Sequence, residues 1–133
     1  MTTKRIPLAL LIDDSDIDLF VQKRFIEITQ FAERILTYRS PADALKFMDG
    51  LTPAELPQVI FLDLNMPGMD GFGFLERCTP GTKPGFEKIK IVVLTSSNNI
   101  ADRERANSFA NVISFVSKPL NSKLLEDLRN MLG

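Results

Sequence analysis

Val59-Ile60-Phe61-Leu62-Asp63-Leu64-Asn65-Met66-Pro67-Gly68-Met69-Asp70-Gly71 is the stretch whose reading decides the fold. Its first four residues are all apolar, which is the pattern of a strand buried on both faces, as in a parallel sheet covered by helices. Asp63 breaks the run. Pro67-Gly68 then supplies turn chemistry, and Asp70-Gly71 offers a helix cap ahead of Phe72, Phe74 and Leu75. Asp63 is therefore expected at the carboxyl end of a strand, the edge of an open α/β sheet at which ligands bind. An aspartate there can also do no more than cap a loop, so the rest of the chain has to decide.

Other apolar runs end in the same way. Leu8 to Ile12 leads into Asp13-Asp14, Ile89 to Leu94 into Thr95, and Val112 to Val116 into Ser117-Lys118-Pro119. Ile35 to Tyr38 makes a further strand. Between them lie helical patterns. One is capped by Ser15 or Asp16, with the apolar residues Ile17, Phe20, Val21, Phe25 and Ile28 recurring at helical spacing. A second starts at Ser40-Pro41 and turns Ala44, Leu45 and Met48 inward. A third carries Phe72, Leu75 and Cys78, a strongly polar fourth runs from about Ile100 to Phe109, and the last is capped by Asn121 or Ser122. Five alternations of strand and helix predict an α/β fold: a doubly wound five-stranded parallel sheet with helices on both faces.

In such a sheet every strand's carboxyl end lies on one edge, so Asp13, Asp14, Asp63, Thr95 and Lys118 are expected to meet. Three carboxylates close together repel, and a cation must offset them. Oxygen ligands without Cys or His favour a hard divalent ion, and few carboxylates plus open positions suit Mg²⁺. A carboxylate beside a metal, a hydroxyl and an ammonium is arranged to receive a phosphoryl group, with Asp63 as nucleophile and Thr95 and Lys118 on the phosphoryl oxygens.

Composition narrows the field. The 133 residues suffice for a single domain, expected to span 1–133 with a core at about 8–132 and no output domain. With a net charge of −1, no nucleic-acid footprint or polybasic membrane patch is expected. The one cysteine cannot form an internal disulfide, and the first residues suit neither a signal peptide nor a membrane span. A cytoplasmic location is the expectation. Histidine is absent, which removes histidine-based nucleophile systems and zinc sites.

The acid pair Asp13-Asp14, Asp63 within its Asp-Leu-Asn-Met-Pro-Gly-Met-Asp-Gly segment, Leu94-Thr95-Ser96 and Ser117-Lys118-Pro119 together resemble the receiver domain of two-component response regulators, of the stand-alone chemotaxis-regulator type. The resemblance implies a flavodoxin-like sheet in the order 2-1-3-4-5. It implies that Asp63 accepts a phosphoryl group from a histidine kinase or histidine phosphotransfer protein. Asp14, Asp63 and the backbone carbonyl of Asn65 would bind Mg²⁺, with Asp13 acting through a water. Phe115 matches the family's aromatic switch position, and Lys118-Pro119 would be cis. Asn65 and Ser97 fall where the family tunes phosphoryl lifetime. The protein would be a monomer or weak dimer, not an enzyme beyond slow loss of its own phosphoryl group. It would signal to a downstream protein through a surface that includes Phe109, Val116 and Leu120.

Two other readings exist. A receiver fold that no longer accepts phosphate would be a pure interaction module. A haloacid dehalogenase-like phosphatase would need a second aspartate two residues after the nucleophile, where this chain has Asn65, which cannot act as a general acid.

Overall fold

The computed structural model describes residues 5–64, 71–95, 100–118 and 120–132. The chain alternates strictly: β1 (Ile6–Ile12), α1 (Asp16–Thr29), β2 (Ala32–Tyr38), α2 (Pro41–Asp49), β3 (Val59–Leu62), α3 (Gly71–Arg77), β4 (Lys90–Thr95), α4 (Ile100–Asn107), β5 (Val112–Ser117) and α5 (Ser122–Leu132). The strands form one sheet in the order β2-β1-β3-β4-β5, and every neighbouring pair is parallel. This is the expected doubly wound topology. Short 3₁₀ turns at Pro53–Glu55 and Phe86–Lys88 punctuate the connections before β3 and β4.

Period-two alternation of the central strands divides the core into two layers. Leu10 and Ile12, Ile60 and Leu62, and Ile91 and Val93 face one side and pack with Ala44 and Met48 of α2 and Phe74 and Leu75 of α3. Ala9 and Leu11, Val59 and Phe61, and Val92 and Leu94 face the other and pack with Leu19 and Ile26 of α1 and Leu125 and Leu128 of α5. Both faces being covered explains why these strands are apolar without a polar alternate. Cys78 is fully buried in the first layer, and burial pushes its thiol up to about 12. It is an inert core residue.

Caps follow the sequence signals. Ser15 accepts from the Asp18 amide at the start of α1, Ser40 from the Asp43 amide at the start of α2, and Asn121 from the Leu124 amide at the start of α5. Helix α4 is short, and Ala106 is its buried residue.

The inward face of α1 agrees with expectation at Phe25, which packs against the second layer, and differs elsewhere. Ile17, Phe20 and Ile28 are 76%, 67% and 64% exposed, while Leu19, Gln22 and Ile26 are buried. Both faces of this helix carry apolar residues, so spacing alone cannot orient it. The choice falls to the face on which a polar side chain has a partner inside, as Gln22 does. Leu120 is also corrected: it is fully buried in the second layer and cannot belong to an exposed docking surface.

Candidate functional site

Backbone pairing at the carboxyl edge assembles the site. The Asp63 amide donates to the Ile12 carbonyl at 3.0 Å, which sets the end of β3 beside the end of β1. The Lys118 amide donates to the Thr95 carbonyl at 2.9 Å, which sets the residue after β5 beside the end of β4. Asp13, Asp63 and Thr95 are all buried. Carboxylate oxygens of Asp13, Asp14 and Asp63 lie within 4.8 Å of one another. The edge thus brings together Asp13, Asp14, Asp63, Thr95 and Lys118, the five residues expected to meet there.

Lys118 is the cation among them. Its Nζ lies 2.7 Å from Asp13 Oδ2 and 3.4 Å from Asp63 Oδ2, with a side chain only 16% exposed. Burial by itself disfavours the ammonium, but hydrogen bonds to Asp13 and Asp18 and the charges of Asp13 and Asp63 outweigh it. Its pKa is held above the ordinary lysine range.

Two contributors come from α1 and were not anticipated. Asp18 Oδ2 accepts from Lys118 Nζ at 2.7 Å, and Gln22 Nε2 donates to Asp13 Oδ2 at 3.3 Å. They sit one helical turn apart, so both project onto the same side of the helix. The other Asp13 oxygen accepts from the Ser15 amide at 3.0 Å. Asp13 is therefore fixed by the loop, by α1 and by Lys118 at once, whereas Asp14 is not buried. One ammonium among four carboxylates leaves an acidic pocket. Its donor set is all oxygen, which is the chemistry that accepts a hard divalent cation.

Phe115 is half-buried on β5, and the guanidinium carbon of Arg103 lies 5.4 Å from its ring centroid. Asn65, the Pro67-Gly68 turn, the Asp70 cap, Ser97 and the Lys118-Pro119 peptide bond lie outside the described residues.

Gly71 controls how closely α3 approaches this edge. Its amide donates to the Leu64 carbonyl at 3.0 Å. A Cβ there would lie 2.6 Å from Leu64 Cα and 2.8 Å from the Asp63 carbonyl oxygen. Backbone atoms cannot yield as a side-chain tip can, so Gly71→Ala should lower stability by roughly 1–3 kcal/mol and displace Asp63. Urea unfolding checks it, and an unchanged midpoint would show that α3 shifts freely.

Comparison with known proteins supplies the family. A family model for the response regulator receiver domain matches residues 9–130. The chain is 32% identical over 123 residues to the probable methanogenesis regulatory protein FilR2 of Methanothrix harundinacea, covering 90% of this chain and 75% of that protein. It is 29% identical over 126 residues to the response regulator Rcp1 of Synechocystis, covering 92% and 82%. Among solved structures, a two-component response regulator from Cytophaga hutchinsonii superimposes with a TM-score of 0.88 at 31% identity, over 97% of this chain and 98% of that one. The chemotaxis response regulator CheY4 of Vibrio cholerae, at 19% identity and a TM-score of 0.75 over 96% and 99%, shares the fold. With its parallel sheet, its acidic edge and a family match spanning nearly the whole sequence, the chain belongs to the response regulator receiver domains, a family of two-component signalling proteins.

Proposed function

We propose that this receiver is a working phosphoacceptor: Asp63 takes a phosphoryl group from a phosphohistidine of a partner kinase or phosphotransfer protein. One observation carries the reading: Lys118, hydrogen-bonded through its backbone to Thr95, reaches to 3.4 Å from Asp63 at a buried strand end. In the reaction an Asp63 oxygen attacks phosphorus, the P–N bond breaks, and its electron pair stays on the imidazole nitrogen. Lys118 and the Thr95 hydroxyl hold phosphoryl oxygens as charge develops on them. Asp14, Asp63 and the Asn65 carbonyl would hold Mg²⁺, with Asp13 reaching it through water; the ion when bound offsets negative charge on the phosphoryl oxygens.

The exposed stripe Ile17, Phe20 and Ile28 on α1 gives the phosphodonor a place to sit. Ile17 lies beside Asp18, which contacts Lys118, so a partner docked on the stripe reaches the same edge. Output runs through Phe115, whose half-buried ring lies 5.4 Å from the Arg103 guanidinium carbon and turns inward when Thr95 engages phosphate. The half-buried Phe109, two residues after α4, packs on the same core layer as Phe115, and the half-buried Val116 of β5 on the other.

Incubation with acetyl phosphate and Mg²⁺ followed by intact-mass measurement tests the reading. One added phosphoryl group is expected, lost when EDTA replaces Mg²⁺. An unmodified chain, under conditions that label another receiver, would make it an interaction module instead.

A further inference from the structure

At the opposite edge of the sheet, a cleft of about 460 Å³ opens beside the starts of β1 and β4 and the end of α5. The seven residues of β1, at about 3.3 Å each, separate it from the acidic edge. Arg5, Lys88, Lys90 and Arg129 line it, and among the described residues no carboxylate does. The whole chain has 16 basic and 17 acidic residues, so this is a local segregation of charge, not a general excess. Among the described residues, the ion pairs involve none of these four cations.

Arg129 is held in place by donation from Nη2 to the Thr29 carbonyl at 2.7 Å. Its Nε is buried with no hydrogen-bond partner among the described residues, so the guanidinium's other nitrogens are the ones left to meet a ligand. The remaining wall is apolar, from Ile6, Phe31 and Leu132. Gln58 is already committed, accepting from the Leu8 amide and donating to the Leu56 carbonyl. Four cations in no ion pair among the described residues, of which only Arg5 also borders a neighbouring cleft with carboxylates, Glu27 and Glu33, stand beside an apolar wall in a volume within the range of small-ligand pockets and ask for an anion that carries an apolar body.

We propose that this cleft binds a small organic phosphate monoester, its phosphate among Lys88, Lys90 and the two arginines and its apolar part against Ile6 and Leu132. Guanidinium and ammonium donors suit phosphate oxygens, and the apolar wall separates such a ligand from inorganic phosphate.

The test is NMR titration of the ¹⁵N-labelled chain with phenyl phosphate and, separately, with inorganic phosphate, in EDTA so that the acidic edge cannot hold a metal. Saturable shifts at the amides of Ile6, Lys90 and Leu132 are expected, with phenyl phosphate binding at least about tenfold tighter than inorganic phosphate, equivalent to 1.4 kcal/mol. Lys88→Glu with Lys90→Glu should weaken phenyl phosphate by tenfold or more. Should that double variant not fold, Lys88→Gln, at an exposed position, should weaken it severalfold. Equal affinity for the two probes, an unaffected variant, or shifts confined to other surfaces would overturn the proposal.

Discussion

Asp63→Asn should abolish uptake of a phosphoryl group from acetyl phosphate and leave the fold intact, with a melting temperature equal to or above that of the native chain. The first half follows from chemistry: an amide oxygen at the same position lacks the anionic nucleophile that the transfer requires. The second half follows from charge. Asp63 attracts Lys118 at 3.4 Å, but Asp13 and Asp18 hold that ammonium more closely, at 2.7 Å each. Oxygens of Asp13 and Asp14 also lie within 4.8 Å of an Asp63 oxygen. At about 4 Å and an effective dielectric of 20, each unit-charge pair is worth about 4 kcal/mol. Two repulsions relieved against one attraction lost gives a favourable sign, and the isosteric amide preserves packing. Intact-mass measurement and thermal unfolding read the two halves separately. Labelling of the variant at the native level would move the acceptor elsewhere. A melting temperature several degrees lower would make Asp63 a structural partner of Lys118 instead.

Much of this arrangement is legible in the sequence. Runs such as Val59 to Leu62 and Ile91 to Leu94 are apolar at every position because both faces of the sheet are covered, and that fixed both their state and their parallel pairing. Once the strands are parallel, the polar residue that ends each of them must reach a common edge, which is why Asp13, Asp63, Thr95 and Lys118 could be grouped. What could not be read was orientation within a helix. On α1 the stripe Ile17, Phe20 and Ile28 is the more hydrophobic, yet it faces outward. The inward stripe contains Gln22, a residue that counts against burial until its amide is seen donating to Asp13. Asp18 was missed for the same reason: its partner, Lys118, is a hundred residues away. Long-range polar pairs leave no periodic trace in sequence. Leu120 directly follows Ser117-Lys118-Pro119 in sequence, where neither periodicity nor a neighbouring apolar run signals burial, yet its side chain is fully buried.

Lys118→Ala should impair the site twice over, in stability and in transfer. Without the ammonium, Asp13 stays 1% exposed beside Asp63 and Asp14 with no positive charge against it. Removing one partner of a buried ion pair costs roughly 3–5 kcal/mol. The lower end applies here, because Asp18 is 39% exposed and can turn to water. A divalent cation should restore part of the loss by mass action, since it binds the folded acidic pocket and not the unfolded chain. The expected pattern is therefore a melting temperature well below native in EDTA, with a gap that narrows in millimolar Mg²⁺. Phosphoryl uptake should remain slower by roughly 10²–10³ even in saturating Mg²⁺, because a preorganised donor to the developing charge is gone. That residual defect separates the two roles of this side chain. If Mg²⁺ restored both melting temperature and labelling rate, Lys118 would be only a counter-ion for the carboxylates. If the variant in EDTA were as stable as the native chain, the carboxylates would not depend on it, and the electrostatic account of the edge would fail.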